Sequence, residues 1–517
     1  MKPHRPPPLA EGSLLAAIDL GSNSFHLIIT RLDCGELRPI DMLAERVQLG
    51  AGLSDGRLSQ DAIERGLACL SRFAQMLSGN PPERIRVVGT NALRKAKNRR
   101  EFTDPAEAIL GVPVDVVYGR EEARLIYLGV AHTLADDEVS RLVVDIGGGS
   151  TEFIIGQRFE PIRLESLQLG CVSYANQFFA DGLLNKQNYQ AAYEQAMIEV
   201  SHIRKNFHAK HWVECVGSSG TLQAIEALIR IHGWREWGID RAAIEKLRKR
   251  LLKFDHVNNL KLEGLNDKRR DVITAGVAIT AAIFDGLNIT ELRTSNGALR
   301  EGVIYDLVGR ASHEDVRERS INAMVNRYNV DETIANLVTQ RVNYLATQVQ
   351  TVWNLSDSDI DLMAWAGRCH EIGVAISQRH YNRHSAYMLA HSDLPGFSQG
   401  EQEMLASLVR GHRGHLPDDL FLDIPEGKRP QVSRMIALLR LAVVFKHVEA
   451  LKTLPDFSVL AKGNTLTLGF PKDWRQSHPL TVWEINANKS TLGKLGIKLR
   501  LVTLDAIREM KNETDNL

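Results

Sequence analysis

Two widely separated segments of this chain follow one design. Residues 14–30 (LLAAIDLGSNSFHLIIT) and 142–156 (LVVDIGGGSTEFIIG) each set two apolar, β-rich runs around a short turn of glycine, serine and asparagine, the pattern of a β-hairpin. Superposing them sets Asp145 on Asp19, Gly147 on Gly21 and Ser150 on Ser24. An internal duplication is the simplest explanation, and it requires two lobes, each built on its own hairpin.

The residues between the hairpins alternate between helix and strand signals. A helix is expected from about Ser59, an N-cap residue, because Ile63, Leu67, Leu70 and Phe73 recur on one face. Strands are expected at 84–88 and 114–117, and a helix near Arg120, where Glu121 and Glu122 precede Leu125, Ile126 and Leu128; acidic residues favour a helix N-terminus. After the second hairpin, strands at 212–216 and 289–293 each run into a small-residue turn and then an apolar helix. From His313 to about Lys452 apolar residues recur at helical spacing, as at Leu362, Trp365 and Ala366, so this part reads as all-helical. Beyond Phe457, alternating runs at 465–470 and 497–503 indicate a small β-containing module.

Length and charge set bounds on function. At 517 residues the chain exceeds one hydrophobic core and should divide into roughly three or four domains. Lys plus Arg equal Asp plus Glu at 63 each, so no global basic field marks a general nucleic-acid binder, and a polyanion must be held by local clusters. Five cysteines without paired spacing suggest neither a disulfide framework nor a zinc knuckle. Residues 1–11 are Pro-rich without the apolar core of a signal peptide, and no stretch is long and apolar enough to span a bilayer. A cytoplasmic protein with a loose N-terminal tail is expected.

The chemistry is expected at the turns. Backbone N–H groups of a tight glycine turn converge on phosphate oxygens, and an aspartate ending the preceding strand holds magnesium directly or through water. Gly147, Gly148 and Gly149 let the backbone approach an anion closely, and Ser150 and Thr151 add hydroxyl donors. Glu152 lies on the returning strand, placed with Asp145 to face one hydrated magnesium ion. Ordinary hairpin turns also use glycine and serine, but two matching copies, each after a strand ending in Asp, weigh against that reading. Lys95, Lys97, Arg99 and Arg100 form a basic run that suits either guidance of a polyanion or a solvated face.

The paired loops Asp19-Leu20-Gly21-Ser22-Asn23-Ser24 and 145–150 resemble those of the actin, sugar-kinase and chaperone ATPase superfamily. More narrowly, DLGSNSFH at 19–26, EEARLIY at 121–127, DIGGGSTE at 145–152 and GALREG at 297–302 resemble the exopolyphosphatase and guanosine pentaphosphate phosphohydrolase family over nearly the whole chain. The resemblance implies an α/β fold with a duplicated actin-like (ribonuclease H-like) half, an all-helical HD-like domain and a small C-terminal α+β domain. The expected boundaries are 1–135 with a closing helix at 298–310, then 136–310, 311–452 and 453–517. It implies Glu122 as the base that activates water, with Glu121 as the alternative, and Arg94 as the cation that neutralises phosphoryl oxygens. It places phosphate contacts on Gly21, Ser22, Asn23, Ser24, Gly147, Gly148, Gly149, Ser150 and Thr151, and metal contacts on Asp145, Glu152 and Asp19. The turn Gly217-Ser218-Ser219 resembles the superfamily's adenosine-contacting turn, which leaves nucleotide binding open, although in the hydrolase family the same turn need only close the cleft around phosphates. Magnesium is the implied cofactor, potassium a stimulating ion, and a homodimer with a basic channel the implied assembly. Adhesion to the inner face of the cell membrane is compatible with the family.

In the second half, Cys369-His370-Glu371 with His384, His391, His412 and His415 is similar to a histidine–aspartate metal phosphohydrolase. Glu371 stands where that fold has Asp, and the longer side chain disturbs ligand geometry, so a catalytically silent relative is expected. Arg383, His384, Arg410, His412 and Arg413 remain candidates for a groove holding the distal part of a phosphate chain. Three functions are ranked. The first is a processive exopolyphosphatase releasing orthophosphate from inorganic polyphosphate, favoured by Gly149 and by Arg383-His384-Ser385-Ala386-Tyr387. The second is the sister activity, hydrolysis of guanosine pentaphosphate to the tetraphosphate, an enzyme of the stringent response. The third is a polyphosphate- or nucleotide-binding regulator without turnover.

Overall fold

The computed structural model describes residues 9–33, 36–79, 81–82, 84–134, 137–311, 315–445 and 457–515. The expected boundaries at 135/136 and 452/453, Cys34 and most of the N-terminal tail lie outside the described residues. The chain forms two compact units, residues 8–314 and 315–517.

The first unit holds two sheets. Strands β1 (Leu14–Leu20), β2 (Ser24–Asp33) and β3 (Glu36–Arg46) form an antiparallel meander. After a two-stranded ribbon of β4 (Leu53–Ser54) and β5 (Arg57–Leu58), β6 (Arg84–Gly89) and β7 (Val114–Val116) add in parallel, giving the order β3-β2-β1-β6-β7. The second sheet repeats this plan with β8 (Ser140–Ile146), β9 (Thr151–Gln157), β10 (Glu160–Leu167) and β11 (Glu214–Gly217). It ends in β12 (Ile239–Asp240) and β13 (Glu291–Thr294), in the order β10-β9-β8-β11-β13-β12. Parallel pairing of β1 with β6 and of β8 with β11 requires a crossover connection.

The apolar runs of the two hairpins follow from burial on both faces. In β1, Ala16, Ile18 and Leu20 enter a core with the helix Gln60–Gly79, while Leu15 and Ala17 enter another. That second core joins the two lobes: it also takes Val143 of β8, Ile154 of β9, and residues of the helices Gly119–Ala131 and Leu299–Ala311. Ser59 accepts a hydrogen bond from Ala62 N at 3.3 Å, the capping role expected of it.

The closing helix Leu299–Ala311 returns to the first lobe and packs on β1, β2, β6 and the helix Gly119–Ala131. The crossing is close enough to require bare backbone: a Cβ on Gly302 would stand 1.7 Å from Leu125 O, and one on Gly129 2.1 Å from Ala298 O. It is locked by Asp306, 3% exposed at the side chain, which accepts from Arg86 at 2.6 Å and Arg310 at 2.8 Å, and from Arg124. Arg124 in turn holds Glu121, and Arg86 holds Asp115.

The second unit contains helices from Val316–Arg327 to Arg429–Val444, then a sheet of β14 (Ser458–Lys462), β15 (Thr465–Phe470) and β16 (Lys498–Thr503). Helices and sheet share one core. Trp353, 1% exposed, donates to Gly463 O at 2.9 Å, and Phe445, Phe457, Phe470 and Trp474 stack in sequence. Among the described residues, no helix is long and apolar enough to cross a membrane.

Candidate active site

The two turns meet. The β1–β2 turn is tight, since a Cβ on Gly21 would lie 2.7 Å from Ser24 O, and the β8–β9 turn is closed by Gly147 N donating to Ser150 O at 2.9 Å. Across the gap, a Cβ on Gly148 would lie 3.1 Å from Ser22 Cβ, and one on Gly149 2.6 Å from Asn91 Oδ1. Together the turns line a cavity of about 250 Å³ with Asp19, Glu122, Asp145, Ser218 and Ser219.

Register explains the carboxylates. Asp145 pairs with Glu152 across β8 and β9, and in the duplicate Asp19 pairs with His26 across β1 and β2. His26 Nδ1 lies 3.4 Å from Asp19 Oδ2, while Asp19 Oδ1 is buried without a hydrogen-bond partner. Glu152, 1% exposed, accepts from Ser166 Oγ at 2.9 Å. Burial pushes the Asp145 carboxyl up to about 7, with Glu122 and Asp19 adding repulsion and a hydrogen bond from Ser218 opposing it. Burial, then Glu122 and Asp145, raise Glu152 well above the ordinary carboxylate range.

Glu122 sits in the first turn of the helix Gly119–Ala131 and pairs with Arg94 at 3.0 Å. Arg94 also donates to Val117 O at 2.7 Å, and its Nη2 is buried with no acceptor. Burial raises the Glu122 carboxyl, Arg94 counteracts this and Asp19 adds to it. The result is a desolvated carboxylate beside a guanidinium with a spare donor.

Several expected residues have other duties. Glu121 is turned from the cleft into a bidentate pair with Arg124, both contacts at 2.8 Å, and so is displaced as the alternative base. The Thr151 hydroxyl donates to Leu169 O inside the lobe. Gly217 supports Leu222 and Leu292, each 2.7 Å from where its Cβ would stand. Arg383 and His384 belong to the second unit. There His412 is buried, Arg410 is paired to Asp419 at 2.8 Å, Arg413 stacks 4.5 Å over Tyr381, and both Arg383 and Arg413 are exposed. His370, 0% exposed, packs edge-on to His412 at 5.3 Å, and no group of three His, Cys, Asp or Glu among the described residues forms a metal cage.

The cleft also contains His26, Thr90, Asn91, Arg269, Asn296 and Arg300, none of which was expected from the sequence. His26 was findable, because it follows Asp19 at the spacing at which Glu152 follows Asp145. Arg269 had no local signal: its guanidinium lies 2.0 Å from where a Cβ on Gly220 would stand, a contact only the tertiary fold creates.

Paired sheets around a two-turn cleft define an actin-like, phosphate-handling fold. The comparisons make this specific. A model of the Ppx/GppA phosphatase family matches residues 28–311, and its domain III matches 316–489; the chain belongs to the Ppx/GppA phosphatase family. It is 37% identical to the guanosine-5'-triphosphate,3'-diphosphate pyrophosphatase of Photobacterium profundum, over 94% of this chain and 98% of that one. It is 38% identical to the protein of the same name from Vibrio vulnificus, over 92% and 96%. Among solved structures, a Ppx/GppA family member of Aquifex aeolicus matches with a TM-score of 0.50 and 28% identity, covering 58% of this chain and 99% of that one. An exopolyphosphatase of Cytophaga hutchinsonii shares the fold at a TM-score of 0.54 and 23% identity, covering 58% and 99%. The chain is therefore a phosphatase-family hydrolase of phosphoanhydride bonds.

Proposed function

We propose that the protein hydrolyses the terminal 5'-phosphate of guanosine 3'-diphosphate 5'-triphosphate, releasing orthophosphate and the tetraphosphate. The sequence alone ranked inorganic polyphosphate first. That order is reversed, because identity of 37% across 94% of the chain to a pyrophosphatase of this specificity outweighs one glycine and a five-residue segment.

The observation that carries the chemistry is the Glu122–Arg94 pair standing behind two facing phosphate turns. Glu122 accepts a proton from water as the water oxygen forms a bond to the terminal phosphorus, and the bridging P–O bond breaks on the opposite side. The leaving oxygen departs on the shortened chain. Arg94, beside Glu122 and outside the cavity lining, counters the charge that builds up on the reacting phosphate, and the N–H groups of both turns hold the anion in place.

The donor set fits magnesium in a particular way. Asp19 and Asp145 line the cavity, Glu152 is buried across the hairpin from Asp145, and their charges repel, yet no three of these groups make a cage. That suits an ion held through one or two carboxylates, water and substrate phosphates. Bound there, magnesium supplies neutralisation of charge on the reacting phosphates.

The test is phosphate release from guanosine pentaphosphate and from long-chain polyphosphate in magnesium buffer. A higher kcat/KM on the nucleotide is expected. A higher value on polyphosphate restores the first ranking, and binding without release on either substrate leaves the regulator.

A further inference from the structure

A second cavity, of about 300 Å³, adjoins the cleft and is lined in part by Lys95, Ser173, Asn176 and Gln177. It shares Ser22, Asn91, Gly148 and Gly149 with the cleft, so these residues form a common wall. On the first lobe's side the wall is two side chains, Ser22 and Asn91, which a rotamer change moves without displacing backbone. Asn91 is 4% exposed, and its Nδ2 group has no hydrogen-bond acceptor. A buried donor left unspent inside a wall between two cavities points to a transient acceptor.

The two sides differ in charge. The cleft carries three carboxylates, Asp19, Glu122 and Asp145, beside His26, Arg269 and Arg300. The second cavity carries Lys95, and its other polar lining groups are neutral. In-line attack leaves the nucleotide product on the opposite side of the cleaved phosphate from Glu122. The freed orthophosphate then lies between Glu122 and the product.

We infer that the freed orthophosphate leaves through the second cavity, past Asn91 and Lys95, before the nucleotide product departs. The inference rests on the hydrolysis proposed above. Asn91 supplies the donor at the wall and Lys95 the attraction beyond it, so the anion moves from a lining that mixes carboxylates with arginines to one that holds a lysine and no carboxylate. None of the four side chains of the cavity named first belongs to the catalytic clamp.

The experiment compares total phosphate in acid-quenched samples with free phosphate read by a fluorescent phosphate sensor, after mixing with guanosine pentaphosphate and magnesium. In Lys95→Glu, and in Asn176→Trp, which plugs the cavity, first-turnover cleavage is expected to stay unchanged while free phosphate lags by about tenfold, the scale of one lost charge-assisted contact. The milder Lys95→Met gives a smaller lag and guards against misfolding of the bulky variant. Free phosphate that keeps pace with cleavage in all three variants overturns the inference, as does cleavage slowed by the same factor as release. If the unaltered protein cleaves nothing, the hydrolase reading itself falls and takes this route with it.

Discussion

The two hairpins share a backbone and differ in charge. Both end their first strand in aspartate and turn on glycine, but the cross-strand partner is His26 in the first and Glu152 in the second. One lobe thus presents a carboxylate beside an imidazole, the other two carboxylates. Duplication supplies two matching turns, and the changed position opposite the aspartate makes the floor between them asymmetric, which gives the proposed magnesium ion a preferred side. The lobes differ again in support, because the closing helix returns to the first and ties it through Asp306.

The largest expected effect comes from the residue that both lobes surround. Glu122→Gln should lower kcat by about 10²- to 10⁴-fold with KM little changed, as measured by steady-state phosphate release; near-normal turnover removes Glu122 from the mechanism. Next, Asp306→Asn removes the buried charge shared by Arg86, Arg124 and Arg310, leaving Asp115 to Arg86 and Glu121 to Arg124, and should cost about 3–5 kcal/mol. Hydrogen exchange should rise in β6 and the helix Gly119–Ala131 more than in β8 and β11, and a uniform rise would erase the contrast in support.

The asymmetry of the floor is tested by a matched pair. Glu152→Gln should weaken magnesium activation by about 10- to 100-fold, whereas His26→Gln should leave the magnesium titration of activity in place. Equal losses would make the two sides equivalent. The smallest effect concerns pH. Its arginine neighbours hold the Asp306 carboxyl well below the usual carboxylate range, so its contribution to stability is present above an unfolded pKa of about 3.9 and is lost as pH falls through the folded value. Denaturation midpoints from about pH 5 downward should therefore fall more steeply for the unaltered protein than for Asp306→Asn.

Much of the fold was legible because local patterns carry it. The hairpins, the crossover helices and the run at 465–470 appear as strands and helices near the expected positions. The edge strands β3 and β10 were not foreseen, since they are exposed along much of their length and present no apolar run. The small sheet, expected as a separate module, shares its core with the helices through Trp353 and Phe457, because its apolar face is buried against the helix Glu332–Trp353.

What the sequence determined by itself was periodicity and turn chemistry: two apolar strands ending in Asp19 and Asp145, each followed by glycine, at a repeat that implies two lobes. The tertiary structure alone decided between Glu121 and Glu122. They are adjacent and chemically equal, but neighbours on a helix point about 100° apart. One therefore meets Arg124 in the core and the other meets Arg94 at the cleft. It also brought Asn91 and Arg269 to the phosphate turns from distant segments, contacts that depend on how packed elements meet and leave no mark in local sequence.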